Sequence, residues 1–158
     1  MTDQNNPDTS IRVWFRLVRL MARMQAAISD RLRQIGISIP QCDVLTTLSE
    51  QEGVSQQQLA ERLYVTKGNI SGLLDRLEEA GFVERRAAAS DRRQYSIHLT
   101  ESGRAMAERA IAVQYKWIAS TVGRMTEADL EALETQVVAL RDIVRQQETS
   151  ARAKAAEA

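Results

Sequence analysis

The chain has 158 residues, one domain's length, with 44% hydrophobic but only 4% aromatic residues, so an aliphatic, helical core is expected. Its 21 basic residues balance 21 acidic ones, which excludes a bulk polycation: any nucleic-acid face must come from local clustering. One cysteine excludes an intrachain disulfide framework, and neither a membrane-length apolar run nor a signal peptide is present, so a soluble cytoplasmic protein is expected.

The residues before about Ser10 and after Gln146 carry no core face and are expected to fray or to be helical without packing. From Ile11 the apolar positions Trp14, Leu17, Val18, Met21, Met24 and Ile28 recur at steps of three and four, which predicts a long first helix ending near Gly36. On another face Arg12, Arg16, Arg19 and Arg23 form a basic stripe. It is either a solvated or acid-paired face or, with Arg16, Arg19 and Arg23, an anion site for a carboxylate or phosphate ligand. Ser38 and Pro40 open a second helix that Gly53 closes. Cys42 lies in its first turn, where it is either a small packing residue or a thiol sensor with a lowered pKa.

A capping box at Ser55–Gln58 starts a short helix with Leu59, Ala60 and Leu63 on its apolar face, and Tyr64 and Val65 make a turn. Thr66 caps the next helix, whose Ile70, Leu73, Leu74 and Leu77 point inward. The outward face is therefore Lys67, Gly68, Asn69, Ser71, Gly72, Asp75 and Arg76. Two glycines in an exposed helix interior cost roughly 1 kcal/mol each relative to alanine. Close approach to another surface accounts for them: a helix entering the major groove needs small residues near phosphates and Lys, Asn or Arg to meet base edges. Gly81 ends this helix, and two strands, 82–86 and 95–99, flank a tip carrying Asp91, Arg92 and Arg93, suited to the narrow minor groove. His98 reads as an exposed residue on the outer side of the return strand.

The run LAERLYVTKGNISGLLDRLEEAGFVERRAAASDRRQYSIHLTESGR resembles the winged helix-turn-helix core of the MarR family of transcriptional regulators. The matching elements are Leu59-Ala60, Thr66, Leu77-Glu78, Gly81-Phe82-Val83 with Arg85, Asp91-x-Arg93, and Leu99-Thr100 followed by Gly103. The resemblance implies a homodimer whose second motif helix enters the major groove while a wing arginine enters the minor groove. Arg93 matches that arginine and Asp91 its orienting partner. Thr66, Lys67, Asn69, Ser71, Gly72 and Arg76 match the recognition face, with Arg86 and Arg92 weaker matches for backbone contacts. It also implies a small effector, an aromatic acid, phenol or related thioester. Cys42 does not stand where peroxide-sensing members carry their cysteine, and no cofactor or metal site is expected.

After Thr100 a helix is expected from Glu101 to about Met125, with Met106, Ala110, Val113, Trp117 and Ile118 on its buried side. A last helix follows Thr126, where Leu130, Leu133, Val137, Leu140 and Val144 form a near-heptad seam that needs a partner, within the chain or across a two-fold axis. The expected fold is mostly α: a single domain over 1–158, with a winged helix-turn-helix lobe at 38–100 bearing a small β-hairpin wing, embedded in a helical dimerisation region at 11–36 and 101–147. The expected function is a homodimeric regulator, a repressor by preference, on a pseudo-palindromic operator in double-stranded DNA, released by a ligand that favours the non-binding geometry. One His, one Cys and no nucleotide-type Gly-rich loop assemble no enzyme site. The rival readings are a winged-helix protein-interaction module without DNA binding and a thiol-based regulator using Cys42.

Overall fold

The computed structural model describes residues 7–87 and 95–156. It is mostly helical: α1 (Pro7–Gln34), α2 (Ile39–Glu50), β1 (Val54–Ser55), α3 (Gln56–Arg62), α4 (Lys67–Glu79), β2 (Val83–Ala87), β3 (Tyr95–Leu99), α5 (Glu101–Ser120), a 3₁₀ turn (Val122–Arg124) and α6 (Glu127–Ala156). The chain divides into two compact units, Met1–Tyr115 and Lys116–Ala158.

In the first unit the helix starts follow from local chemistry. The Ser38 hydroxyl accepts from the Gln41 N–H while Gln41 Oε1 accepts from the Ser38 N–H at 2.9 Å, and Ser55 and Gln58 repeat the box. Thr66 accepts from the Asn69 N–H at 3.3 Å, and Thr100 from the Gly103 N–H at 3.0 Å. Gly81, at φ +74°, ends α4 in the left-handed conformation that a side chain resists, which turns the chain into β2. The core is aliphatic: Leu32 of α1, Val44, Leu45 and Leu48 of α2, Leu59 of α3, and Ile70, Leu74 and Leu77 of α4 pack with Val83, Ile97, Leu99, Ala107 and Ala110. Each large member contributes about 1.5–3 kcal/mol by leaving water. The inward residues expected for α3 and α4 are in this core, apart from the half-buried Leu63.

The sheet has three strands in the order β1-β3-β2, all antiparallel, where a two-stranded hairpin was expected. Val54 faces Ile97 and Ser55 faces Ser96, so Ser55 is at once a strand residue and the cap of α3. The β2–β3 register runs from Val83↔Leu99 to Ala87↔Tyr95. Gly103 sits where α5 meets the end of that pair. A Cβ there would lie 1.8 Å from the Phe82 carbonyl oxygen, an acceptor already bonded to the Thr100 N–H at 3.1 Å.

Several expectations need correction. The first helix begins at Pro7, so the residues just before Ser10 take the helical of the two alternatives; proline is tolerated in a first turn that lacks intrahelical N–H partners anyway. Helix α5 stops at Ser120 rather than near Met125: the Ser120 and Thr121 hydroxyls both donate to the Trp117 carbonyl at 2.8 Å, competing with the helical ladder, and Gly123 follows. The buried side of α5 is Gly103, Ala107 and Ala110; Met106, Val113 and Trp117 are only half-buried and Ile118 is exposed. His98 is half-buried rather than exposed, with Nδ1 3.4 Å from Glu52 Oε2 and Nε2 3.0 Å from the Ser96 hydroxyl. Arg104 holds the other oxygen of Glu52, so the α2–β1 loop is fastened to β3 and α5 together. The lowered pKa that the sensor alternative for Cys42 needs is not found, and the packing alternative fits its surroundings. Its thiol is fully buried, accepts a hydrogen bond from Gln114 at 3.2 Å, and is pushed up to about 11 by burial and by the charge of Asp43. The helix N-terminus does not overcome that desolvation.

Apolar side chains remain uncovered in each unit. On α1, Ile11, Trp14, Phe15, Val18 and Met21 are exposed, Trp14 by 62%. In the second unit, α6 exposes Leu133, Val137, Leu140, Ile143 and Val144. Among the described residues no helix is long and apolar enough to cross a membrane.

Candidate nucleic-acid interface

Helix α4 buries one face and leaves the other open. Because Ile70, Leu73, Leu74 and Leu77 fix its rotation, Thr66, Lys67, Gly68, Asn69, Gly72 and Arg76 are exposed together, with Ser71 half-buried at their edge. Lys67 and Arg76 are nine positions apart, roughly 13.5 Å along the helix. Among the described residues neither of these cations makes an ion pair. A Cβ built on Gly68 or on Gly72 meets nothing within 4 Å, so the fold itself asks for no glycine at either place. At the amino end, the capping bond uses the Thr66 hydroxyl as acceptor and leaves its O–H able to donate outward. The free N–H groups and positive dipole end of α4 make the same region favourable for an anion.

Arg85, on β2, locks this helix to the sheet. Its guanidinium donates to Asp75 Oδ1 at 2.6 Å and to Glu78 Oε2, and its backbone N–H reaches Glu78 Oε1 at 3.3 Å. Burial opposes its charge, but the bonds and charges of Asp75 and Glu78 outweigh that and hold its pKa above the ordinary value. Asp75 therefore belongs to this clamp rather than to the open face. The residues that make the clamp were visible as family elements and outward positions, but only the fold brings Arg85 onto both carboxylates. A signal was present in retrospect: Asp75 and Glu78, three residues apart in the last turns of a helix, followed after a tight turn by arginine at the third strand residue.

The structure places the other expected residues unevenly. Arg86 is exposed on β2 and bound by its own neighbour-but-one, Glu84, with Nε at 2.8 Å, so its charge is already partly neutralised. Asp91, Arg92 and Arg93 lie outside the described residues. Arg16, Arg19 and Arg23 are exposed along α1 and make no ion pair among the described residues. No three His, Cys, Asp or Glu side chains gather among those residues in a way that could hold a metal ion.

One residue of the turn between α3 and α4 carries more than its sequence suggested. Tyr64 is held at φ +54° and is 87% exposed. The left-handed conformation costs an ordinary L-residue about 1–2 kcal/mol, and an exposed ring offers the fold little in return. Glycine or asparagine is the ordinary occupant of such a position, which is the signal that could have singled out Tyr64.

Known proteins share both the sequence and this architecture. The model of the MarR family matches residues 37–95. The chain is 36% identical over 110 residues to an HTH-type transcriptional repressor of Mycobacterium tuberculosis, covering 70% of this chain and 79% of that one. Among solved structures, the S. aureus MepR–DNA complex is 25% identical with a TM-score of 0.75, covering 83% of this chain and 97% of that one. CouR from Rhodococcus jostii RHA1, bound to p-coumaroyl-CoA, is 28% identical with a TM-score of 0.71, covering 81% and 90%. With a winged helix-turn-helix fold, an open polar face on its second motif helix and relatives of this kind, the chain belongs to the MarR family and is a DNA-binding transcriptional regulator, not an enzyme.

Proposed function

We propose that the protein is a homodimeric repressor that reads a pseudo-palindromic operator with α4 and is released by a small anionic effector. The observation that carries the reading is the α4 face, where two glycines the fold does not require stand among Thr66, Lys67, Asn69, Ser71 and Arg76. Glycine there lets the helix backbone approach phosphates closely, and Lys67, Asn69 and Arg76 supply donors for base edges and backbone. Arg93, oriented by Asp91, enters the neighbouring minor groove; Arg86 and Arg92 contribute backbone contacts.

Dimerisation is supported by the apolar side chains exposed on α1 of the first unit and on α6 of the second, each a face that a partner helix would cover. In this reading 11–36 and 101–147 form the dimerisation region and 38–100 the DNA-binding lobe. A two-fold dimer sets two recognition helices about 34–36 Å apart, one helical turn of DNA. The repressive sign follows the M. tuberculosis relative. The effector class follows CouR with its aromatic acyl thioester, and the exposed Arg16, Arg19 and Arg23, which make no ion pair among the described residues, supply charge for a carboxylate or phosphate.

The test is fluorescence anisotropy of wild type and Arg93→Ala on the DNA flanking the protein's own gene, titrated against salt and random duplex, with p-coumaroyl-CoA and simple aromatic acids added. Saturable binding that survives competitor and weakens in the variant supports the reading. Unchanged binding in Arg93→Ala overturns the wing assignment, and unchanged effector affinity in Arg16→Ala and Arg19→Ala overturns the anion site.

A further inference from the structure

We infer that Tyr64 is a contact to the DNA backbone, placed beside α4 to fix the depth and register at which that helix docks. The inference rests on the proposed reading of α4 as the recognition helix and extends it to a residue outside the helix and its cap. Three observations carry it. First, the backbone at Tyr64 adopts the conformation that glycine takes freely and a tyrosine resists. The turn does not need the ring to keep this shape, since its hydrogen bonds are main-chain ones: the Val65 N–H donates to the Ala60 carbonyl at 3.0 Å and the Tyr64 N–H to that of Glu61 at 3.3 Å. Second, the side chain gives the fold nothing visible, being 87% exposed with no hydrogen bond among the described residues. Third, its place is special: it stands two residues before Thr66, at the amino end of α4, the end from which recognition helices of this motif meet base edges. A residue that costs the free protein stability and sits at the rim of a docking surface is accounted for by what it touches when docked.

The chemistry of the contact follows from the side chain. A phenol O–H donates to a phosphate oxygen, and the ring covers the apolar edge of a deoxyribose. Both are independent of base sequence, so Tyr64 positions the protein and does not choose the operator. Being uncharged, it releases no counterion and leaves the salt dependence of binding unchanged.

Tyr64→Asn and Tyr64→Phe separate this role from a structural one. Asparagine tolerates the left-handed conformation, so Tyr64→Asn should raise the midpoint of thermal unfolding while weakening operator affinity roughly three- to tenfold, the range of one lost hydrogen bond. Tyr64→Phe keeps the ring and the strain, so it should leave the unfolding midpoint unchanged and still weaken binding through the lost hydroxyl. Both variants should weaken operator and random duplex by the same factor, with the same slope of affinity against salt. Wild-type affinity in Tyr64→Asn overturns the inference, as does a changed ratio of operator to random binding. Lys67→Ala is measured alongside: if it too binds like wild type, the reading of α4 fails, whereas if it weakens and Tyr64→Asn does not, only the role of Tyr64 fails.

Discussion

Replacing Gly72 by alanine should make the protein more stable and a poorer DNA binder, and the two effects can be sized separately. The position is exposed in the interior of α4, and the added methyl meets nothing within 4 Å, so no folding contact is lost or strained. Helix propensity alone then favours alanine by roughly 0.8–1 kcal/mol. For a chain of this size that raises the unfolding midpoint by about 2–4 °C. In the proposed complex the same methyl would stand where the helix backbone nears the DNA. Accommodating an extra methyl in a close-packed contact costs typically about 1–3 kcal/mol, which is about 5- to 150-fold in affinity at each half-site. Thermal unfolding by circular dichroism at fixed protein concentration gives the first number, and fluorescence anisotropy at one salt concentration gives the second. Alanine that binds as wild type does would refute the close-approach explanation of this glycine. A lowered midpoint would refute the claim that the fold makes no demand there.

Gly103→Ala should do the opposite, because its Cβ would meet the Phe82 carbonyl oxygen at 1.8 Å and disturb the Thr100 N–H bond to that oxygen. A loss of about 3 kcal/mol is expected from overpacking and the strained hydrogen bonds, and denaturant unfolding checks it. Arg85→Ala should cost only about 1 kcal/mol of stability, since Asp75 keeps 62% and Glu78 41% of its side-chain surface in water. It should weaken DNA binding more than that, by leaving two uncompensated carboxylates beside the docking face, and adding Asp75→Asn and Glu78→Gln should restore affinity in an anisotropy titration. For Cys42 the folded thiol titrates near 11 against an ordinary value of 9.0. The unfolded chain therefore releases that proton first, and this contribution to stability falls as pH rises from 9 to 11. Alkylation by iodoacetamide at neutral pH should proceed only as fast as the protein opens; rapid labelling of the native state would contradict the buried thiol.

Features set by residues three or four apart were legible in the sequence, and features set by distant ones were not. Ser38 with Gln41, Ser55 with Gln58 and Thr66 with Asn69 are i to i+3 pairs, so the starts of α2, α3 and α4 could be read directly. The spacing of Ile70, Leu73, Leu74 and Leu77 fixed which side of α4 faces out, and that made most of the candidate site readable too. Strand β1 was missed because two residues carry no period and its partner, Ile97, lies far along the chain. His98 was misread for a related reason: alternation assigns it a side of β3, but the Glu52 carboxylate that covers that side comes from the α2–β1 loop. At Cys42 a correct local rule, that a helix N-terminus favours a thiolate, lost to desolvation by a core that local pattern does not describe. Tyr64 was placed correctly in its turn, yet the conflict between its side chain and its backbone appears only once φ is known.

Whether two copies of α4 read one turn of DNA as a symmetric pair is decided by selecting bound sequences from random duplexes and footprinting the winner. The expected result is an enriched pseudo-palindrome whose half-sites lie about 10–10.5 base pairs apart, centre to centre, protected with a stoichiometry of two chains per duplex. Enrichment of a single unpaired half-site by one chain, or no enrichment at all, would contradict it.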